Sequence, residues 1–309
     1  MADPRREAER RRNAHPPKRS FQDQFSDDTS PVGAELVRDR ETLKSLSGKK
    51  LPKPQETRIM TVDNQKGGVG KTTTAVNVAA GLALGGLRVV VIDADPQGNA
   101  STALGVDHSA GTPSLHDVII GDLSICDVLK ECPHVENLWV VPSTIDLSSV
   151  EISLVLENGR EFRLKNAIDE ADLDVDYIII DCPPSLGLLT LNSLVAAKEV
   201  LIPIQTEYYA LEGLTQLINT INVVKQSTNA ELEVSTILLT MYDKRTNLAQ
   251  EVASDVRAHF PEETLDVEIP RNVKISEAPS YEQTVLTYDP RSAGAVAYLA
   301  AAHEIAQRH

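Results

Sequence analysis

The sequence predicts a doubly wound α/β domain, a mostly parallel twisted sheet flanked by helices. Three observations carry that expectation. From Arg58 onward, short apolar runs alternate with longer helical stretches. Several of the runs are continuous and β-branched, such as Val89-Val90-Val91-Ile92 and Ile178-Ile179-Ile180, which suits strands covered on both faces of a parallel sheet. The polar residues with chemical promise stand just after these runs, at the strand ends where such sheets bind ligands. Strands are expected over residues 59–62, 89–93, 138–141, 177–181, 200–203, 236–240 and 267–270. Helices are expected over 72–84, 147–156, 163–170, 188–196, 213–225, 248–259 and 293–307. The alternation implies right-handed crossovers. No internal repeat or linker interrupts 56–309, so that stretch reads as one domain.

Charge separates this body from the N-terminal segment. The 309 residues carry 30 Lys+Arg against 45 Asp+Glu, a formal net charge of −15. Residues 1–55 hold 13 basic and 9 acidic side chains, a balance of +4, and the remainder stands at −19. Most of the positive excess lies at the tip, in Arg5, Arg6, Arg10, Arg11, Arg12, Lys18 and Arg19. Few large apolar residues precede Leu51, so residues 1–55 are expected to be a disordered extension with a basic tip. The acidic body argues against coating nucleic acid through the overall field. The basic N-terminus is not followed by an apolar run, and nothing approaches the roughly 18 apolar residues of a membrane-spanning helix. Cys126, Cys132 and Cys182 show no paired metal spacing. A cytoplasmic protein is expected.

After the first strand comes Asn64-Gln65-Lys66-Gly67-Gly68-Val69-Gly70-Lys71-Thr72-Thr73-Thr74, leading into a helix. Gly70-Lys71-Thr72 fits the second half of the phosphate-loop pattern, while Gln65 stands where the first glycine is usual. Glycines let the backbone curl so that successive N–H groups face phosphate oxygens, and the helix adds its positive end. Lys71 is expected on the β- and γ-phosphates, and the Thr72 hydroxyl on Mg²⁺. Lys66 is not required by the ordinary loop. With it the sequence resembles the deviant phosphate-loop ATPases, in which this upstream lysine reaches the nucleotide of a second subunit across an ATP-sandwiched dimer. A cation supplied in trans contributes about 10³–10⁵ in rate in comparable phosphoryl-transfer systems.

Two acids, Asp93 and Asp95, end the second strand, and Asp181 ends a later one. The resemblance implies that Asp95 polarises the attacking water and that Asp93 supports the metal region; Asp93 also reads as an acid that orders its loop. Asp181 is placed to hold Mg²⁺ through water, which Mg²⁺ commonly retains. Near the end, Ile269-Pro270-Arg271-Asn272-Val273 reads as a strand and polar turn, and Asn272 offers donor and acceptor to a base edge. By resemblance Pro270 and Asn272 hold adenine, so the nucleotide is ATP, bound by residues 66–73 and Asp95.

Further blocks narrow the resemblance, which runs from about Arg58 to the C-terminus. They are Asp93 to Ser101, Asp181 to Gly187, Glu207 to Leu214, Arg245-Thr246-Asn247-Leu248 and Ile269 to Val273. Together they are similar to the chromosomal ParA/Soj partition ATPases. That family implies an ATP-bound homodimer on nucleoid DNA, without sequence preference, and hydrolysis stimulated by a ParB-type centromere-binding protein. It implies DNA contact by Arg245 and Lys274, the latter where arginine is common; lysine neutralises phosphate without a bidentate fork. Screening over about 8 Å lets a local basic patch work on an acidic body. Three alternatives share the loop: a cargo-positioning relative, a metabolic enzyme such as an ATP-dependent ligase or an iron-protein reductase, and a MinD-like division-site ATPase that uses a basic amphipathic C-terminal helix. The last segment here, Ser292 to His309, is alanine-rich with Arg308 as its one Lys or Arg, which argues against membrane recruitment.

Overall fold

The computed structural model describes residues 31–308, with side chains from Gly33 onward. The chain divides into two units, Met1–Glu41 and Thr42–His309. The second holds an eight-stranded sheet made of β1 (Arg58–Val62), β2 (Val89–Asp93), β3 (Lys130–Glu131), β4 (Leu138–Val141), β5 (Tyr177–Asp181), β6 (Glu199–Gln205), β7 (Glu233–Tyr242) and β8 (Thr264–Pro270). Their order across the sheet is β3-β4-β2-β5-β1-β6-β7-β8. All neighbours run parallel except β3 and β4. The expected doubly wound sheet is therefore present. β2, β4 and β5 have the bounds read from their apolar runs. β6, β7 and β8 run further, because residues such as Glu199, Gln205, Glu233 and Thr264 extend the ladder without being apolar.

Alternation within the buried runs explains why they are continuous. Val89 and Val91 face one core with Met60, Val62 and Ile179, while Val90 and Ile92 face another with Ile178 and Ile180. The first core is closed by the helices Lys71–Leu84 and Ala293–Gln307. They cross closely: a Cβ on Gly81 would lie 2.6 Å from the Ala302 Cβ, so the crossing depends on glycine. On the other face a third cluster joins Val200, Ile202 and Ile237 to Leu217 and Val256 of the helices Ala210–Ser227 and Asn247–His259.

Three features depart from the sequence reading. The helix expected over 147–156 is a 3₁₀ turn, Ile145–Ser149, followed by one α-turn, Val150–Ser153. Serine hydroxyls explain the break: Ser148 donates to the Ile145 carbonyl and Ser149 to the Asp146 carbonyl, each at 2.7 Å, competing with a regular helical ladder. The second is the segment expected to lack structure through residue 55. Residues 1–30 lie outside the described residues, but Pro31–Leu46 is a helix. Leu43 and Leu46 pack against the first core and Leu51 is buried in it, so ordered chain begins well before residue 55. Two apolar residues at i, i+3 are enough to seat the end of a helix but too few to register as a period. Third, the short helices Asn99–Ala103, Leu115–Ile120, Ile125–Val128, Val273–Glu277 and Val285–Tyr288, with the two-residue edge strand β3, span less than the window in which periodicity is legible.

The register places the site. Val62 of β1 lies beside Asp181 of β5, which lies beside Asp93 of β2. From β1 the chain moves first to β2 on one side and later to β6 on the other, so the crevice opens at the switch point between β5 and β1.

Candidate functional site

The glycine-rich loop leaves β1 and enters the Lys71–Leu84 helix through left-handed backbone at Gly68 (φ 78°) and Gly70 (φ 91°). Those angles require glycine, and they turn the N–H groups inward. The helix starts with a 2.8 Å bond from Thr74 N–H to the Gly70 carbonyl. Side chains moor the loop from both flanks. Asn64 donates to the Pro203 carbonyl at 2.8 Å and accepts the Lys66 N–H at 2.9 Å, tying the loop to β6. The Thr240 hydroxyl of β7 donates to the Val69 carbonyl at 2.8 Å. Gln65, which departs from the general pattern, donates to the Thr220 hydroxyl at 3.1 Å and so anchors the loop to the Ala210–Ser227 helix. Lys71 is buried, with Thr72 and Thr73 partly exposed beside it.

Three carboxylates meet at the strand ends, in different states. Asp93 is fully buried; its Oδ2 accepts the Ser101 N–H (2.8 Å) and hydroxyl (2.7 Å), and its Oδ1 accepts the Asp95 N–H at 3.2 Å. Burial pushes its pKa up to about 6, with the Ser101 hydrogen bonds acting the other way. Both oxygens thus accept hydrogen bonds from the loop that follows, which orders it. Asp95 is nearly buried and accepts the Gln97 N–H at 3.0 Å. Asp181 is fully buried, and neither of its oxygens has a hydrogen-bond partner. Burial first, then the Asp93 charge, drives its pKa well above the usual carboxylate range; Thr72 and Lys71 offset part of this.

A buried carboxylate with two unsatisfied oxygens, beside a threonine hydroxyl and below a phosphate loop, fits a hydrated Mg²⁺ held by Thr72, phosphate and water. Among the described residues no group of three or more His, Cys, Asp or Glu side chains is arranged to hold a metal ion. The cysteines are free; Cys132 and Cys182 are buried, and Cys126 is exposed.

A cleft of about 260 Å³ opens beside the start of the Lys71–Leu84 helix, lined by Thr72, Thr73, Asn99, Ile275, Ala278 and Pro279 among others. Pro270 and Asn272 do not line it. Asn272 caps the following helical turn, its Oδ1 accepting the Lys274 N–H at 2.8 Å. Lys66 is held within its own chain, 2.5 Å from Glu207, with both side chains about half exposed. Arg245 is 83% exposed and forms a two-point ion pair with Asp243, both bonds 2.8 Å. Lys274 pairs with Glu277 at 2.8 Å.

Two residues of the site escaped the sequence reading. Asp63 follows β1 directly and carried the same signal as Asp93 and Asp181, an acid at the end of a buried run. Glu207 has no local sign of its role, since its partner lies 141 residues away.

The profile of the AAA-domain family matches residues 57–234. The chain is 49% identical over 249 residues to the sporulation initiation inhibitor protein Soj of Bacillus subtilis, covering 81% of this chain and 98% of Soj. It is 49% identical over 251 residues to the chromosome partitioning protein ParA of Myxococcus xanthus, covering 81% and 88%. A solved structure from Mycobacterium smegmatis, described as cobyrinic acid a,c-diamide synthase with bound ATP analog and magnesium, is 40% identical with a TM-score of 0.69, over 80% of this chain and 93% of that one. The loop, the strand-end carboxylates and these matches agree, and the chain belongs to the ParA/Soj family of phosphate-loop chromosome-partitioning ATPases.

Proposed function

We propose that this chain partitions chromosomes: an ATP-bound homodimer binds double-stranded DNA without sequence preference, and a ParB-type centromere-binding protein stimulates hydrolysis and releases it. The observation that carries this reading is the two-lysine loop, Lys66 and Lys71, in a chain half identical to Soj and ParA. ATP is the nucleotide, consistent with the ATP analog in the Mycobacterium smegmatis relative. The loop N–H groups of residues 66–73 and the Lys71 ammonium cradle its phosphates. Asp95 orients the attacking water and accepts its proton. Thr72 directly, and Asp181 through water, would hold Mg²⁺, which would neutralise charge at the phosphates. Asp93 keeps the Asp95 loop in register. Pro270 and Asn272 form the turn that borders the base.

Dimerisation is supported by what the carboxyl edge of the sheet leaves uncovered. Tyr208 and Tyr209 stack edge to face beside Glu207 and are 77% and 67% exposed. A second copy seated there would bury both rings and bring its Lys66 to the nucleotide. DNA contact falls to Arg245, on the turn after β7, and Lys274, in the short helix Val273–Glu277 after β8, at the same edge. Pairing two subunits doubles that patch, which gives a reason for binding as a dimer. Among the described residues no helix is long and apolar enough to cross a membrane. The working location is the nucleoid.

ATPase activity of the full chain, measured with DNA and the centromere-binding protein separately and together, tests the reading. Synergistic stimulation is expected. A synthase such as the Mycobacterium smegmatis relative's name describes has no reason to respond, so a flat response would remove the partition assignment. Arg245→Glu should abolish DNA binding in filter or mobility assays while ATP-dependent dimerisation persists; loss of both would count against a DNA role. Wild-type affinity should fall steeply between low and physiological salt.

A further inference from the structure

We infer that Tyr288 is a positioning residue for Lys274: its ring backs the ammonium and its hydroxyl engages Glu277, so Lys274 can pass to a phosphate without stranding its partner. The inference rests on the reading of Lys274 as a DNA contact. Lys274 donates to Glu277 Oε2 at 2.8 Å, a pair three residues apart on the short helix Val273–Glu277. Tyr288 comes from a separate turn, Val285–Tyr288, and its hydroxyl donates to the same Oε2 at 3.2 Å. The Lys274 Nζ stands 5.6 Å from the centroid of the Tyr288 ring, within reach of its electron-rich face. Tyr281 stacks on that ring, with centroids 4.9 Å apart and planes 23° from parallel, and Tyr288 also packs against the first core. The ring is thereby held in place.

The phosphate-loop helix sets where this turn stands. Asn77, 3% exposed, donates to the Thr73 carbonyl at 2.7 Å, and its Oδ1 accepts the Val285 N–H at 2.9 Å. An N–H at the start of a helical turn has no partner within the turn, so Asn77 supplies the one it lacks. The Tyr288 N–H bonds to the Thr284 carbonyl at 2.9 Å, closing the turn. Contacts thus run unbroken from the start of the phosphate-loop helix to Lys274. An exposed lysine paired only with a neighbouring acid gains little from the pair and loses side-chain freedom in keeping it. Here a third group changes the exchange. Lys274 and Glu277 are 43% and 40% exposed, so a phosphate can reach the ammonium. When it does, Glu277 retains the Tyr288 hydroxyl as a donor, and the ring face still holds the ammonium without neutralising it. Without the hydroxyl, Lys274 would be the one remaining side-chain donor to Glu277 among the described residues, and its release would be harder.

Fluorescence anisotropy of labelled double-stranded DNA tests this, titrated with the full-length chain in Mg²⁺ and a non-hydrolysable ATP analog. Tyr288→Phe keeps the ring and removes the hydroxyl, and should weaken DNA binding by about two- to tenfold. Glu277→Gln should tighten it, because the ammonium loses its competing charge. Added to either Lys274→Ala or Glu277→Gln, Tyr288→Phe should then have no further effect. A purely structural role for Tyr288 would weaken binding equally in every background, and that result would overturn the inference, as would wild-type affinity of Tyr288→Phe. Loss of analog binding by Tyr288→Phe would do so too, because the hydroxyl would then serve the cleft or the fold. Lys274→Ala should itself weaken binding and lower the salt slope by about one. If it changes neither, the reading of Lys274 as a DNA contact falls, and the inference with it.

Discussion

Lys66→Ala is expected to bind nucleotide as wild type does, yet lose roughly a thousandfold or more of the hydrolysis stimulated by DNA and the centromere-binding protein. The size follows from what a cation supplied in trans does for phosphoryl transfer. It stabilises charge that develops only in the transition state, so its loss appears in the rate and not in ground-state affinity. In the single chain Lys66 is paired with Glu207, and both groups are about half exposed. An ion pair that open to solvent contributes at most about 1 kcal/mol, so exchanging it for a phosphate in a partner subunit is energetically easy. Nucleotide titration and stimulated turnover of the same preparation make the comparison. Wild-type turnover in Lys66→Ala with both stimulators present would dispose of the trans-lysine mechanism.

The largest stability effect is expected at the opposite end of the sheet, from Glu199→Ala. Glu199 receives Arg58 in a two-point pair, Nε at 2.7 Å and one terminal nitrogen at 2.6 Å. The other terminal nitrogen donates to the Tyr177 hydroxyl at 2.8 Å and the Ile305 carbonyl at 2.9 Å. Both side chains of the pair are about nine-tenths buried. Removing the carboxylate strands a guanidinium in the interior, a class of change that costs about 3–5 kcal/mol. Against a total stability of about 5–15 kcal/mol, urea midpoint and melting temperature should both drop markedly. The double variant Arg58→Met with Glu199→Leu should recover much of the loss, because no charge is then left unpaired. A small effect of Glu199→Ala would mean that water reaches Arg58. The network links β1, β5, β6 and the C-terminal helix, so its loss should unfold the sheet as a unit.

The sheet was legible because burial on both faces writes itself into sequence as unbroken β-branched runs: Val89 to Ile92 and Tyr177 to Ile180 could hardly be anything else. The loop was legible because its chemistry is local, a dozen residues in a row. What escaped was chemistry assembled across distance or against a rule. Glu207 reaches Lys66 only when β6 is laid beside β1. Asp93 is an acid at a strand end like Asp181, and only the hydrogen bonds from Ser101 to one oxygen and from Asp95 to the other reveal that both are engaged. The Pro31–Leu46 helix went unread because its described part gains little from its own sequence; Leu36 and Val37 stay exposed, and Leu43 and Leu46 find their partners in the core.

The ion pair between Arg245 and Asp243 bears on how fast a bound anion leaves. Arg245 holds the Asp243 pKa down at about 2, so the carboxylate stays ionised at every physiological pH. A phosphate on Arg245 therefore competes with a rival two residues away in sequence, whose local concentration neither dilution nor titration can lower. If Arg245 contacts a phosphate as proposed, Asp243 is at hand to recapture the guanidinium when that phosphate leaves. Lys274 repeats the arrangement with Glu277, one turn along its helix. If Arg245 and Lys274 contact DNA as proposed, each contact would be made in competition with a carboxylate of the same chain.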